Sequence, residues 1–447
     1  MANQEYKFGG LNPPIPFLTG DASVLYSIIS EVNRVNELEP EDLKKRNALY
    51  LYKLMSHFSK VSAKFPQRLQ NDLSCFSENS ELTDLLNLVK PADKYYFQRV
   101  SRDIQESKVP KHHLPLYWAT TSGSTGVPLK IQRTSITGII GMAQVPWMHL
   151  ASDTDFSWKV ASVKPSNTNL ALSESWDPAS GLLFKVGPLL SVPTSEDVFR
   201  QLEELERFQP DMLIVFPSVL KEYVSIWDRG IKSALGLKVI RTMGETLCEE
   251  TRQIAEELTG ADVLDTYSST EVGRIATQIA PRSSYVVNGY SLIVEVLNER
   301  DELCLPGEIG RVVVTDLFNY ATPLIRYDIG DWAVPQDEHH RRLESIKGRS
   351  RNMITLPDGR KIWPLIGYRE FSEIVPIRQF HIRQVSSNSL EANFFIDVLP
   401  SLEDRDKVDR IIKKCLGYDF NIKSNYQTTP LRKLPNHKLE DFVSLVT

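Results

Sequence analysis

Cysteine is scarce in this chain: Cys75, Cys248, Cys304 and Cys415 are the only four in 447 residues, and no two form a C-x-x-C pair. That spacing offers neither a zinc ligand set nor a disulfide framework. The histidine pairs His112-His113 and His339-His340 have no cysteines beside them and read as surface histidines. No apolar run reaches the ~18 residues that a spanning helix needs. The N-terminal Met-Ala-Asn-Gln-Glu-Tyr-Lys has no apolar signal region, so a soluble cytoplasmic protein without a membrane partner is expected. A basic excess is missing too. With 52 Lys and Arg against 57 Asp and Glu, the net charge of -5 argues against a nucleic-acid partner. The short clusters Lys44-Lys45-Arg46 and Arg341-Arg342 read as solvated faces.

What is present is an ordinary globular composition, 41% hydrophobic and 24% charged, on a chain long enough for two or three domains. Its most informative stretch is Thr120-Thr121-Ser122-Gly123-Ser124-Thr125-Gly126-Val127-Pro128-Leu129-Lys130. Small hydroxyl residues alternate with glycines there, and a lysine closes the run. Glycine permits close approach and positive φ, so such a loop can wrap backbone N–H groups and hydroxyls around a phosphate. The pattern G-x-x-x-x-G-K-[ST] cannot be laid onto it, so the cradle is of another kind.

Residues 21–110 read as helical, with apolar positions recurring at three and four, as in Leu25, Ile28, Ile29 and Val32. Further on the rhythm changes. The apolar runs 211–216, 237–240 and 262–265 alternate with helical stretches at 218–229 and 248–258, which predicts a parallel, doubly wound sheet. Ligands of such sheets sit beyond the carboxyl ends of the strands. Gly123–Lys130, Gly244-Glu245-Thr246 and Tyr267–Glu271 all fall at such ends. From Tyr285 to Val334 the period becomes two, which predicts an antiparallel sheet or small barrel. A last segment of about a hundred residues is long enough for a small α+β domain, with a helix at Leu402–Leu416.

Taken together, these segments resemble the adenylate-forming superfamily of acyl-CoA synthetases, aryl acid ligases and adenylation domains. The wording of the glycine-rich loop is most similar to the phenylacetate–CoA ligase-like branch. The resemblance spans roughly residues 115 to 445 and rests on ordered motifs. It implies an α/β fold with a large domain at 1–348: helical over 1–115, an α/β core over 116–284 and a β-barrel-like subdomain over 285–348. A small mobile α+β lid at 349–447 would follow.

The resemblance also implies roles for particular residues. Thr121, Ser122, Gly123, Ser124, Thr125, Gly126 and Lys130 would hold the ATP phosphates. In Tyr267-Ser268-Ser269-Thr270-Glu271 the tyrosine would flank the adenine, Thr270 would meet the α-phosphate and Glu271 would bind magnesium. Asp331, closing Arg326-Tyr327-Asp328-Ile329-Gly330-Asp331, would accept from the ribose hydroxyls, and Arg349 would reach the ribose or phosphates. Gly244, Glu245, Thr246 and Asp265 complete the expected nucleotide site. Asn352 stands where the family usually has a hinge aspartate, and Lys438, with Lys433 as competitor, would act as the adenylation lysine. Phe216, Pro217 and Ser218, with Trp147 and Phe184, would line the acyl pocket.

The function implied is ATP-dependent activation of a carboxylic acid, aryl in the first instance, followed by transfer to coenzyme A. An amine or a carrier-protein thiol is the alternative acceptor, and a non-catalytic nucleotide-binding homologue the remaining alternative. The assembly is expected to be a monomer or homodimer.

Overall fold

The structure is a computed structural model that describes residues 20–100, 103, 105–121, 128–232, 234–349, 352–364, 371, 374–375, 377–431 and 441–446. The chain enters through helices. In α1 (Asp21–Glu37), Leu25, Ile29, Val32 and Val35 form one buried stripe. Pro40 opens α2 (Pro40–Val61), where its fixed φ and missing N–H cost nothing. The buried face of α2, Leu51, Leu54, Met55 and Phe58, packs with Leu85 and Leu86 of α3 (Leu82–Asn87) and with Leu317 and Ile325. Helix α4 (Lys94–Val100) buries Phe97 against Tyr327.

Strands β1 (Leu116–Thr120) and β2 (Lys130–Thr134) pair antiparallel around the glycine-rich loop. Two 2.9 Å hydrogen bonds close the base of that loop, from Thr121 N to Leu129 O and from Leu129 N to Thr121 Oγ1. Thr134 then caps α5 (Ser135–Ala151). The parallel run follows: β3 (Val160–Lys164), the short β4 (Ala171–Ser173), β5 (Leu189–Pro193), α6 (Val198–Phe208), β6 (Met212–Val215), α7 (Pro217–Asp228), β7 (Val239–Met243), α8 (Glu249–Thr259) and β8 (Asp262–Ser269). Strands β5, β3, β6, β7 and β8 are parallel neighbours. Both faces of this run are covered, α6, α7 and α8 on one side and α1 and α5 on the other. Burial on both faces explains why these strands read as unbroken apolar runs.

Strands β9 (Gly273–Thr277), β10 (Tyr285–Val287), β11 (Leu292–Leu297), β12 (Gly310–Asp316), β13 (Tyr327–Pro335) and β14 (Arg342–Arg349) are antiparallel. They continue the parallel run in one mixed sheet of twelve strands, in the order β11-β12-β13-β14-β10-β9-β8-β7-β6-β3-β5-β4. The expected subdomain is therefore an extension of the main sheet, joined through β9 and β10.

After β14 the chain builds a second α+β unit. It contains the two-stranded pair β15 (Ile354–Thr355) and β16 (Lys361–Ile362), then β17 (Ile377–Ser386), β18 (Ser389–Ile396), α9 (Leu402–Leu416), β19 (Asn421–Gln427) and β20 (Phe442–Ser444). Four of these strands form a sheet in the order β19-β18-β17-β20. Ser401 caps α9 and Gly417, at φ 63, ends it, while Val408, Ile412 and Leu416 enter a core of the unit's own. This unit sits on α7. Lys221 meets Asp441 at 2.7 Å and lies over the Phe380 ring, Arg229 meets Asp397 at 3.1 Å, and Arg378 approaches Glu222 at 3.7 Å.

Two histidines expected at the surface are buried instead. His340 accepts from Val296 N through Nδ1 and faces Cys304 O through Nε2, both at 2.9 Å, which fixes a neutral ring. His113 packs on Tyr320 with Nδ1 3.2 Å from Thr134 Oγ1, and burial pushes it down to about 4. Each is the second of its pair, and its exposed neighbour gave the pair a polar look. Among the described residues no helix is long and apolar enough to cross a membrane.

Candidate active site

Beyond the carboxyl ends of β6, β7 and β8, a cleft of about 1010 Å³ opens between the main sheet and the C-terminal unit. Three strand-end segments meet in its lining: Phe216-Pro217-Ser218, Gly244-Glu245-Thr246 and Tyr267-Ser268-Ser269-Thr270-Glu271. Thr121 adds the base of the glycine-rich loop, Asp331 comes from β13 and Arg349 from β14. Residues far apart in sequence thus share one wall.

The carboxylates are held by tyrosines. Tyr267 donates to Asp331 Oδ2 at 2.9 Å, and Arg349 Nε pairs with Oδ1 at 2.8 Å. The pairing follows from register, since Asp331 and Arg349 are direct partners across β13 and β14. Asp331 in turn holds the Arg349 guanidinium above its ordinary range. Tyr327 donates to Glu271 Oε1 at 3.0 Å. Burial, then the neighbouring carboxylates, push the hydroxyls of Tyr267 and Tyr327 far up, so both remain donors throughout the physiological range.

Two other predicted residues act as supports. Glu245 Oε2 accepts from Ser218 N at 2.9 Å, placing a carboxylate at the N-terminus of α7. Asp265 lines the cleft, yet its oxygens are taken by the hydroxyls of Thr242 and Tyr285, and burial raises its pKa. Gly348 has φ +93, and a Cβ there would stand 2.6 Å from Thr246 Oγ1, so glycine is required where β14 crosses the β7 turn. Asn352 also lines the cleft, and its buried Oδ1 has no partner among the described residues.

Ser122, Gly123, Ser124, Thr125, Gly126, Lys433 and Lys438 lie outside the described residues. Lys130 is exposed at the start of β2 and does not line the cleft. Trp147 and Phe184, expected in the acyl pocket, are core residues instead. Trp147 donates to Asn33 Oδ1 of α1 at 2.8 Å, and Phe184 stacks on Phe156 with centroids 4.0 Å apart. Trp147 sits on the face of α5 that covers the sheet under α1, and Phe184, from the segment before β5, packs into the same core. Several lining residues were not anticipated. Trp363, Phe380 and Phe442 form the wall from the C-terminal unit, and Tyr327, outside the lining, supports it through Glu271. An aromatic beside a Gly-Asp end was the available signal for Tyr327.

Among the described residues no group of three or more His, Cys, Asp or Glu side chains is arranged to hold a metal. A magnesium ion held mainly by phosphate oxygens and water needs only one carboxylate. Glu271 suits such an ion, being 7% exposed in the cleft wall with an Oε2 that has no hydrogen bond or ion pair among the described residues.

No family model matches the chain. A phenylacetate–coenzyme A ligase of Pseudomonas putida is 27% identical over 166 residues, 35% of this chain and 38% of that ligase. The match therefore spans little more than a third of that relative. The fold is similar to that of a 2-hydroxyisobutyryl-CoA ligase solved with its acyl-adenylate, at 15% identity and a TM-score of 0.67, covering 90% of this chain and 89% of that one. An anthranilate–CoA ligase in complex with anthranoyl-AMP gives a TM-score of 0.53 at 13% identity, over 70% of this chain and 64% of its own. The chain therefore has the α/β fold of these ligases, a large mixed sheet followed by a separate C-terminal unit.

Proposed function

We propose that the chain joins a carboxylic acid to the α-phosphate of ATP, releases pyrophosphate, and passes the acyl group from the adenylate to the thiol of coenzyme A, releasing AMP. The observation that carries this reading is the meeting of Thr121, the strand-end segments 244–246 and 267–271, Asp331 and Arg349 in one cleft. The likeness to coenzyme A ligases, one of them solved with an acyl-adenylate, supports it.

The work divides by charge. Asp331, fixed by Tyr267 and Arg349, offers ionised acceptor oxygens to the ribose hydroxyls. The carboxylate and the α-phosphate repel, so negative charge must be offset as the new P–O bond forms. A magnesium ion bound at Glu271 would supply part of that offset. The hydroxyls of Thr270, Ser122 and Thr125 would donate to phosphate oxygens, and the Lys438 ammonium would face the reacting phosphate. The C-terminal residues from 349 onward would act as a lid turning about Asn352 between the two half-reactions. An aryl acid is the first choice of substrate, supported by the relative that acts on phenylacetate and by Phe216 in the cleft wall.

The experiment is an acid panel with ATP and magnesium, trapping adenylates with hydroxylamine, then repeated with coenzyme A, amines and a carrier protein as acceptors. Hydroxamate formation with at least one acid and AMP release stimulated by coenzyme A are expected. Tight ATP binding with no hydroxamate across the panel would overturn the reading.

A further inference from the structure

Across the β8–β9 hairpin from the cleft lies a second, small cavity of about 40 Å³, lined by Arg133, Thr137, Gln144, Gly273, Arg274 and Asp316 among others. A space of that size holds a few waters or one carboxylate-sized group. Its walls are unusual in what they leave unpaired. Arg274 Nε and Nη1 and Arg133 Nε are all shut off from solvent without a hydrogen-bond partner. Neither arginine has an ion-pair partner within 4.0 Å among the described residues.

The nearby acids do not correct this. Asp316 shares the wall and is the carboxylate whose charge Arg133 feels, and its Oδ1 is taken by Phe318 N at 3.0 Å. Asp177 is the acid nearest in effect to Arg274, yet it is bound by the backbone and hydroxyl of Ser180. Arg241, 3% exposed, sets a second cation near Arg274, with its own Nη1 and Nη2 held by Thr277, Gln278 O and Ser152. His149 beside them is kept neutral by burial and by these two cations. Burial lowers Arg274 only to about 10, so it stays charged at neutral pH. Two arginines and one carboxylate therefore share the lining, and three arginine nitrogens closed off from solvent stay unpaired, which is costly for a charged group.

Register ties this cavity to the cleft. Ser268 and Ser269, which line the cleft, are the direct partners of Arg274 and Gly273, which line the cavity. One strand spacing, roughly 4.8 Å, separates them. A ligand whose reacting carboxylate lies near Thr270 and Glu271 would carry its far end to this side of the hairpin.

We propose that the acid activated here bears a second anionic group, a carboxylate or sulfonate about 5–10 Å from the first, and that Arg274, assisted by Arg133, receives it in this cavity. The inference rests on the acid-activating reading above and narrows its substrate class to ditopic acids. Arg274 acts as a specificity-determining residue, since a site built to bond a polar group rejects the analogue that lacks it far more strongly than an apolar pocket can.

The test compares terephthalate with 4-methylbenzoate, and linear dicarboxylates with monocarboxylates of equal length, on the full chain. Two readouts are taken: hydroxylamine-trapped adenylate with ATP, and calorimetric binding of each acid without nucleotide. Terephthalate is expected to be favoured by on the order of 10²-fold. Arg274→Met should erase that preference while leaving the weaker 4-methylbenzoate signal within about twofold, and Arg274→Lys should restore part of it. Arg133→Gln serves as a second variant should Arg274→Met fail to fold. Absence of adenylate with every acid counts against the proposed function alone, because nucleotide-free binding still tests this inference. Equal binding of the two acids, an unchanged preference in Arg274→Met, or binding of neither acid (a cavity filled by water only) would overturn it.

Discussion

The Asp331 carboxylate is the site's most exacting element, and replacing it with asparagine gives the sharpest test. In the native chain both oxygens are engaged, Oδ2 by the Tyr267 hydroxyl and Oδ1 by Arg349. Asparagine keeps the shape but loses the charge, and its amide presents a donor where only acceptors are useful. Hydrogen bonds to charged groups contribute about 1.5–3 kcal/mol each. At about 1.4 kcal/mol per decade that is a loss of roughly 10- to 150-fold in nucleotide affinity. Tyr267→Phe removes only the orienting hydroxyl, a neutral donor worth about 0.5–1.5 kcal/mol, so its loss should stay near or below tenfold. The fold should survive both changes, because the β13–β14 pairing runs through backbone partners. The assay is calorimetric titration of AMP, with the thermal midpoint as control. An AMP affinity within twofold of native in Asp331→Asn, or a larger loss in Tyr267→Phe, would refute the assignment of Asp331 to the ribose.

Glu271→Gln keeps an oxygen for Tyr327 and removes the charge, so adenylate formation should need far more magnesium; an unshifted magnesium titration would count against the metal role. Gly348→Ala combines a left-handed φ with a Cβ 2.6 Å from Thr246 Oγ1. It should destabilise by about 1–3 kcal/mol in denaturant unfolding, with Thr246→Ala recovering only the contact part. His113 sets a pH signature. Its folded pKa, about 4, lies below the unfolded value near 6.5, so the unfolded chain binds the proton first as pH falls. Its contribution is intact above about pH 6.5 and drains toward about pH 4. The gap in thermal midpoint between native and His113→Gln should therefore narrow on acidification, while the upward-shifted Asp265, Glu295 and Asp316 are common to both chains. A gap constant from pH 7.5 to 5 would sink this point.

The parallel run was legible because burial on both faces leaves a direct signature, unbroken apolar strands alternating with amphipathic helices. Helix α9 could be read to its last residue, since Ser401 and Gly417 are unambiguous stops. The order of strands in the antiparallel half was not legible: β14 lies between β13 and β10, a pairing set by contacts far apart in sequence. Strand-end segments could be placed at one edge from their position alone. What they touch could not. Glu245 as a helix cap and Tyr327 as the partner of Glu271 depend on neighbours 27 and 56 residues away. Trp147 and Phe184 failed for a related reason, since an aromatic that packs a core and one that lines a pocket look alike in sequence.

The seat of the C-terminal unit on α7 has a consequence for solution conditions. Its closest ion pairs are Lys221–Asp441 and Arg229–Asp397, and in both the acidic partner is more than 40% exposed. Pairs of that kind are worth about 0–1 kcal/mol each, and mobile ions screen them over a Debye length of about 8 Å at physiological ionic strength. The cleft's outer wall is thus fastened by charges that added salt weakens together, while Arg274 Nε and Nη1 and Arg133 Nε are closed off from solvent. Ionic strength should loosen how the cleft is covered without altering what its floor selects.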